Sequence, residues 1–415
     1  MGQRLRPVSG PLDPDGTVVV VGASLAGLRA AEELRHVGHR GPVVMVGAES
    51  HPPYDRPPLS KQFLAGAWDV ERIRHHAPED LADLGFSWRI GAAATALDLG
   101  ARTVGLSTGE ELAFDGLVVA TGAAARSLPG IAPRPGVHLL RTLDDCLGVR
   151  GDLARAGEGV RLVVVGAGFI GAEVAATCHG LGARVTVVEA AATPLAHVLG
   201  EEVGAACGAL HRSAGVELKT GVGVAGVAGE HVGSLTVALT DGSQVPADVV
   251  VVGVGVTPTT DWLAGSGVPV DDGVTCDERL FATDRVVAAG DVARWPHRSL
   301  GRMLRLEHWT NAAESGVAAA RNLVAGTAAA TPYEPVPFFW SDQYATKIQM
   351  VGVPSAGDEV EVVDGSLAGG RFAALYHRAG LLTGALAFSM PRQLMRYRSL
   401  VAAGGSLAEA YALSG

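Results

Sequence analysis

One pattern of residues occurs twice in this chain, and it restricts the fold more than any other feature. At 17–34 the sequence TVVVVGASLAGLRAAEEL passes from β-branched residues through a glycine turn into helix-forming residues, and RLVVVGAGFIGAEVAATC repeats this at 161–178. A buried strand, a glycine turn and a helix begin a Rossmann unit, which binds a dinucleotide. The sequence therefore predicts an α/β fold with two Rossmann-like dinucleotide-binding domains.

The positions in each turn have separate physical tasks. The first glycine allows a tight turn, the second lets the backbone approach a pyrophosphate, and the third lets helix and strand pack closely. The second copy carries the complete set, Gly166, Gly168 and Gly171, with Phe169 and Ile170 beside them. The first copy reads Gly22, Ser24 and Gly27. Ser24 either donates its hydroxyl to a phosphate or crowds it, and the sequence leaves both alternatives open.

An acidic residue follows the second strand of each unit, Glu49 in PVVMVGAE and Glu189 in ARVTVVEA. A carboxylate at this position accepts hydrogen bonds from ribose hydroxyls and repels a 2′-phosphate, so Glu189 predicts NADH rather than NADPH. Thr193 stands where an arginine would bind that phosphate or stack on adenine. A solvent-facing strand end is the alternative role for Glu189.

Two further buried strands end in residues suited to the first nucleotide. FDGLVVATGAAAR leads into Ala120, Thr121 and Gly122 with Arg126 behind them, and RVVAAGDVAR ends in Gly290 and Asp291. An acid at the carboxyl end of a strand is well placed to accept hydrogen bonds from the ribityl chain of FAD. The alternative for Asp291 is a helix N-cap. Gly255 is also predicted to contact a cofactor.

Several motifs in a fixed order give the chain a family resemblance. GASLAG, PYDRPPLSK, ATGAAAR, VVVGAGFIGAE, AAGDVAR, EHWTNAAESG and FWSDQYATKIQMVG together resemble the FAD-dependent ferredoxin reductases of bacterial oxygenase systems. The resemblance runs from about residue 17 to about residue 400. It implies an FAD domain at 17–125 and 248–330, an NAD domain at 126–247 and a C-terminal α+β domain at 331–415. Residues 1–16 combine proline, glycine and charge without periodicity, which predicts a flexible leader.

The resemblance also implies roles for individual side chains near the flavin. Arg56 would lie near the cofactor phosphates, and Lys61 under the reacting nitrogen of the isoalloxazine, paired with Glu173 near the nicotinamide. A cation there stabilises the negative charge of the reduced ring. Trp309 and Trp340 would contact the flavin. The alternatives are an exposed lysine, an ordinary helix glutamate and tryptophans packed in a core.

The family implies a chemistry and a partner. NADH would reduce FAD by hydride transfer, and single electrons would pass to a [2Fe-2S] ferredoxin that serves a cytochrome monooxygenase or Rieske-type oxygenase. Such ferredoxins are acidic, whereas the chain carries a net charge of -10, so docking requires a local basic surface. The candidates are Arg321, Arg392, Arg396 and Arg398. A solvated helix face is the alternative for each.

Cysteine positions separate the competing functions. A disulfide reductase needs a redox cysteine pair near the flavin, and a peroxidase or oxidase of this superfamily needs one, but residues 40–70 contain none. A rubredoxin reductase and an apoptosis-inducing-factor-like redox-sensing flavoprotein stay open as alternatives.

Charge and composition give the remaining expectations. The acidic balance argues against a nucleic-acid binder, and the four scattered cysteines predict no metal site and a reducing, cytoplasmic location. No apolar run is long enough to cross a membrane.

Overall fold

The structure is a computed structural model and describes residues 10–131, 133–355 and 357–413. The chain forms two compact units, each built from separated segments. The first contains 1–55, 74–124 and 257–337, and the second contains 56–73, 125–256 and 338–415. Two of the boundaries between the units fall within short strands, Ala123–Ala125 and Val256–Pro258. The predicted fold class is confirmed, because each unit contains a parallel sheet of Rossmann type.

The main sheet of the first unit follows from runs of buried valine. Its strand order is Phe281–Thr283, Val286–Ala288, Gly116–Val119, Val18–Val21, Val43–Gly47 and Ser87–Ile90. The neighbours are parallel except for the first pair. Residues buried on both faces are typical of a parallel sheet covered by helices. The first nucleotide helix, Leu25–His36, and the helix Trp309–Ala325 pack together in this unit.

Shorter elements complete the first unit. Two small sheets contain Ala94–Asp98, Thr103–Leu106 and Glu111–Ala113, and Val274–Thr275, Ala293–His297 and Arg302–Leu304. The helical segments are Pro78–Asp83, Asp261–Leu263 and Gly290–Val292.

The second unit contains its own parallel sheet. The strand order is Glu217–Thr220, Arg184–Glu189, Arg161–Val165, Val249–Val252 and Val137–Leu139. The accompanying helices are Leu143–Ala156, the second nucleotide helix Phe169–Gly180, Ala196–Leu199 and Glu201–Ser213. An antiparallel sheet of Val224–Ala228, Leu235–Leu239 and Gln244–Ala247 packs on it.

The C-terminal part of the second unit is an antiparallel sheet. Its order is Phe338–Gln343, Thr346–Gly352, Leu381–Phe388, Arg371–Arg378 and Glu359–Ser366, followed in the chain by the helices Pro391–Ala402 and Leu407–Ala412. Phe372 and Phe388 stack with ring centroids 4.4 Å apart. They share a core with Leu199 and Val203, so this sheet packs on the helices Ala196–Leu199 and Glu201–Ser213 within one unit.

The domain limits differ from the sequence expectation in three places. The strand Val249–Val252 pairs with Arg161–Val165, so the predicted boundary before residue 248 is too early, and the second unit continues to Val256. The segment 56–73, predicted to be part of the FAD domain, lies in the second unit. The third place is the predicted flexible leader: residues 1–9 lie outside the described residues, whereas Leu12 is buried and its N–H donates to the Val324 carbonyl at 3.0 Å.

A glycine at the helix crossing of the first unit gives a stability test. A Cβ on Gly316 would lie 2.3 Å from the Ala26 carbonyl oxygen, so Gly316→Ala is expected to lower the free energy of unfolding by about 2 kcal/mol. Gly151 is the matched control, because it also lies inside a helix and a Cβ there would meet open space. Gly151→Ala should stabilise by up to about 1 kcal/mol. Thermal unfolding measures both, and equal effects would contradict the packing described.

Candidate functional site

The first nucleotide turn is built by close backbone contacts in the first unit. Gly22 has φ +120°, and a Cβ there would lie 2.0 Å from the Ala120 carbonyl oxygen. A Cβ on Gly27 would lie 1.8 Å from the Gly22 carbonyl oxygen. These glycines are therefore required by the fold itself. Ser24, at the middle position, is the N-cap of the first nucleotide helix, whose first N–H groups have no partner within the helix and are suited to a phosphate.

In the second nucleotide turn, packing requires two of the three glycines. A Cβ on Gly166 would lie 2.4 Å from the Gly253 carbonyl oxygen, and one on Gly171 would lie 2.1 Å from the Gly166 carbonyl oxygen. A Cβ on Gly168 would meet nothing within 4 Å. Its φ of -69° suits any residue. The space left at Gly168 fits the close approach of a pyrophosphate, which is the role that the glycine motif predicts.

Each predicted ribose-binding acid is held by neighbours in its own unit. Glu189 accepts hydrogen bonds from the N–H of Ala167 at 2.7 Å and of Ala191 at 2.9 Å, so its carboxylate is fixed against the glycine turn. Glu49 accepts a hydrogen bond from the hydroxyl of the buried Tyr54. Both acids are partly exposed, which leaves them accessible to a ligand.

The ends of two neighbouring strands bring further predicted residues together in the first unit. Asp291 is 7% exposed and lies within the short helical turn Gly290–Val292, directly after the strand Val286–Ala288. It is not an N-cap, since Ala289 holds that position. A Cβ on Gly290 would lie 2.9 Å from the Cβ of Ala26, so this turn meets the first nucleotide helix. Burial lowers the pKa of His308 to about 4, with Asp291 acting in the opposite direction.

Thr121 and Gly122 follow the adjacent strand Gly116–Val119. The Thr121 hydroxyl donates to the Thr259 carbonyl at 2.7 Å, and Gly122 has φ +65°. The backbone of this turn is therefore fixed beside the strand end.

Trp309 has a partner that the sequence analysis missed. Its indole Nε1 donates to Asp55 Oδ1 at 2.6 Å, and both residues belong to the first unit. Trp309 is the first residue of the helix Trp309–Ala325, so the hydrogen bond fixes the ring at the helix start. The sequence signal for this partner is Asp55 inside the proline-rich segment PYDRPP, for which only the cations were predicted to have a role.

The predicted pair of Lys61 and Glu173 is formed within the second unit. Lys61 Nζ lies 2.8 Å from Glu173 Oε2, and their side chains are 12% and 3% exposed. The same oxygen accepts a hydrogen bond from the Ser60 hydroxyl at 2.5 Å. Oε1 accepts from the Ser341 hydroxyl at 2.8 Å and the Asp342 N–H at 3.2 Å. A buried charge requires this degree of pairing and hydrogen bonding.

Three other predicted cofactor residues of the second unit have contacts of their own. Arg56 donates from Nη1 to the Arg141 carbonyl at 2.7 Å. Arg126 is exposed, and its N–H donates to the Gly255 carbonyl at 2.9 Å. Trp340 lies in the strand Phe338–Gln343, where its backbone is opposite Gln349.

Two aromatic rings contact each other beside the second turn. Phe169 lies 4.7 Å from Phe339 between ring centroids, while Ile170 is 47% exposed. Thr193 packs near the helix Glu201–Ser213, with its Cγ2 3.0 Å from the place of a Cβ on Gly204.

The predicted residues divide between the two units. The first unit brings together Gly22, Ser24, Gly27, Glu49, Ala120, Thr121, Gly122, Gly290, Asp291 and Trp309. The second brings together Arg56, Lys61, Arg126, Gly166, Gly168, Phe169, Ile170, Gly171, Glu173, Glu189, Gly255 and Trp340. Each unit thus holds a complete nucleotide turn with its acid.

The four cysteines are free and buried. Burial raises the pKa of Cys146, Cys178 and Cys207 to about 12 and raises that of Cys276 further. A thiol that stays protonated is a poor redox nucleophile. Among residues 10–131, 133–355 and 357–413, no group of three or more His, Cys, Asp and Glu side chains is arranged to hold a metal ion. Over the same ranges, no helix has the length and apolar character needed to cross a membrane.

Comparisons with known proteins show the family of the chain. The family model for pyridine nucleotide-disulphide oxidoreductases matches residues 16–316, and a reductase C-terminal model matches 338–413. The chain is 36% identical to rhodocoxin reductase of Rhodococcus erythropolis over 93% of this chain and 89% of that protein. It is 37% identical to the ferredoxin–NAD(+) reductase component of the anthranilate 1,2-dioxygenase system of Burkholderia cepacia, over 93% and 94%.

A solved structure extends the comparison to the fold. The covalent putidaredoxin reductase–putidaredoxin complex contains a chain with a TM-score of 0.88 and 32% identity, covering 94% of both chains. The resemblance noted in the sequence is confirmed.

The open space at Gly168 gives a test of nucleotide binding. Gly168→Ala is expected to leave the melting temperature unchanged and to raise the KM for the dinucleotide about tenfold or more, because a methyl group would occupy the place of the pyrophosphate. Gly180→Ala, at the other end of the same helix, is the matched control, since a Cβ there also meets open space. An unchanged KM in Gly168→Ala would contradict the assignment.

Proposed function

Because this chain belongs to the pyridine nucleotide-disulphide oxidoreductases, we propose that it is an FAD-dependent NADH:ferredoxin reductase. The observation that carries the proposal is the combination of two nucleotide turns with a cysteine-free segment at 40–70. Disulfide reductases of this architecture pass electrons to an internal cysteine pair. A chain without one must deliver them to an external acceptor. The relatives named above have ferredoxin-type partners in their names.

FAD, when bound, supplies the conversion of a two-electron donor into a source of single electrons. On this proposal the first turn, with Gly22, Ser24 and Gly27, holds its pyrophosphate. Asp291 accepts hydrogen bonds from its ribityl chain, and Glu49 takes the ribose hydroxyls. The tight backbone contacts at Gly22 and Gly27 fit such a site because they bring the helix N–H groups to the end of the strand.

Lys61 and Glu173 have the catalytic roles. The ammonium group of Lys61 stabilises negative charge that develops during hydride transfer. Glu173 Oε2 lies 2.8 Å from the nitrogen of this cation and balances its charge in a site where both side chains are largely buried.

Glu189 is proposed to select NADH. Its carboxylate is already held beside the glycine turn by the Ala167 and Ala191 N–H groups. A 2′-phosphate would be repelled.

Replacing Glu189 tests this selection. Glu189→Gln is expected to raise the KM for NADH about tenfold and to reduce the preference for NADH over NADPH, since the repelling charge and the strongest ribose acceptor are lost. Glu217→Gln is the control, an acid at the start of the neighbouring strand. Steady-state kinetics with both nucleotides measures the effect, and an unchanged ratio would refute the role of Glu189.

A basic surface on the C-terminal helix is proposed to dock an acidic [2Fe-2S] ferredoxin. Arg392 and Arg396 are exposed on the helix Pro391–Ala402. The other two candidates are already engaged, since Arg321 Nε lies 2.5 Å from Glu33 and the Arg398 guanidinium carbon lies 6.0 Å from the centre of the Phe338 ring. The docking role therefore falls first on Arg392 and Arg396.

Charge reversal at this surface should weaken docking. The double variant Arg392→Glu, Arg396→Glu is expected to raise the KM for ferredoxin at least tenfold at low salt, with a smaller effect at high salt, while NADH oxidation by ferricyanide is unchanged. Arg371→Glu, at an exposed arginine of the strand Arg371–Arg378, is the control for a single charge reversal elsewhere. Equal effects of the double variant at low and high salt would contradict electrostatic docking.

The electron acceptor distinguishes the proposed function from its alternatives. A ferredoxin reductase reduces two ferredoxin molecules for each NADH consumed. A rubredoxin reductase reduces two rubredoxin molecules instead, and a redox-sensing flavoprotein reduces both proteins slowly. Following NADH loss and iron–sulfur reduction in one cuvette distinguishes them. The proposal also places the enzyme in the cytoplasm, because free protonated thiols suit a reducing compartment.

A further inference from the structure

Glu173 is surrounded by more hydrogen-bond donors than its ion pair with Lys61 requires. Its carboxylate is 3% exposed and receives two serine hydroxyls, Ser60 at Oε2 and Ser341 at Oε1, besides the Asp342 N–H. The two serines belong to segments far apart in the chain, one directly before Lys61 and the other in the C-terminal sheet. Each oxygen of the carboxylate therefore has a hydroxyl of its own.

The direction of these hydrogen bonds follows from the chemistry of the groups. An ionised carboxylate only accepts, so both hydroxyls donate to it. Ser341 in turn accepts from Nε2 of the fully buried Gln343 at 3.3 Å. A hydroxyl that accepts one hydrogen bond while donating another is a stronger donor than an isolated one. Gln343, Ser341 and Glu173 thus form a chain in which every donor points toward the carboxylate.

We propose that Ser60 and Ser341 are positioning residues that hold the carboxylate of Glu173 directed at Lys61 during turnover. This rests on the proposed function, in which Lys61 stabilises the charge that develops on hydride transfer. Each hydroxyl fixes the position of one carboxylate oxygen through a charge-assisted hydrogen bond. Without them, the carboxylate loses this orientation, and Lys61 loses the anion that fixes its position.

Other charges near Glu173 do not replace these donors. Lys61 is the cation at Oε2, and on the strand Phe338–Gln343 the carboxylate of Asp342 lies 3.5 Å from Lys347 Nζ. Asp342 therefore carries its own partner and contributes its backbone N–H, not its charge, to the site.

The rate of flavin reduction by NADH tests the proposal in the FAD-loaded protein. In Ser60→Ala and Ser341→Ala, the rate at saturating NADH is expected to fall about tenfold while the NADH concentration that gives half of this rate stays unchanged, because a charge-assisted hydrogen bond that orients Glu173 is lost. Ser341→Thr keeps a hydroxyl and should restore most of the wild-type rate. Thr383→Val is the matched control, since its hydroxyl donates to the buried Asp358 carboxylate at 2.7 Å in the same antiparallel sheet.

A second measurement does not depend on activity. With Glu173 present, Ser341→Ala is expected to lower the melting temperature by several degrees. In a Glu173→Leu background the same change should have little effect on the melting temperature, because the hydroxyl then has no carboxylate to which it can donate a hydrogen bond. Equal losses in both backgrounds would show that Ser341 contributes only to packing and would overturn the proposal.

The outcomes also separate this inference from the proposed function. A wild-type protein that NADH does not reduce at any pH contradicts the proposed function. A wild-type protein that NADH reduces, with serine variants whose rate of flavin reduction matches that of Thr383→Val, overturns the positioning role and leaves the reductase assignment in place.

Discussion

The buried carboxylate of Glu173 is the interaction on which the second unit depends. Burying a single charge costs several kcal/mol unless it is paired and hydrogen-bonded, and here the carboxylate and its partners come from three separated segments. Ser60 and Lys61 come from the proline-rich loop, Glu173 from the second nucleotide helix, and Ser341 from the C-terminal sheet. These contacts join the three segments of the second unit, 56–73, 125–256 and 338–413. On the proposed function, they also hold the cation that stabilises charge during hydride transfer.

In the glycine turns, positions that packing restricts to glycine differ from a position that packing leaves open. Gly166 and Gly171 contact the backbone so closely that any side chain would disturb the fold, whereas Gly168 faces open space. The corresponding position in the first turn is Ser24, a residue with a side chain. The first turn therefore keeps the two glycines that its fold requires, Gly22 and Gly27, and departs from the motif only at the middle position.

The elements that depend on local sequence patterns could be predicted from the sequence. The strand, turn and helix of both nucleotide units follow from β-branched runs and glycine spacing, and the Lys61–Glu173 pair followed from family resemblance. The partners Ser60, Ser341 and Asp55 were missed, because a hydroxyl or carboxylate acquires its role only when distant segments meet. The boundary at 248 was wrong for a related reason: a run of valines predicts a buried strand but does not say which sheet it joins.

The central claim is that this chain takes hydride from NADH and delivers single electrons to a [2Fe-2S] ferredoxin. Anaerobic stopped-flow mixing tests it most directly, with the NADH-reduced protein mixed against oxidised two-iron ferredoxin or rubredoxin and the flavin absorbance followed. The account predicts rapid reoxidation by the two-iron ferredoxin and slow reoxidation by rubredoxin. Rapid bleaching by NADH followed by no reoxidation with either iron protein would contradict it.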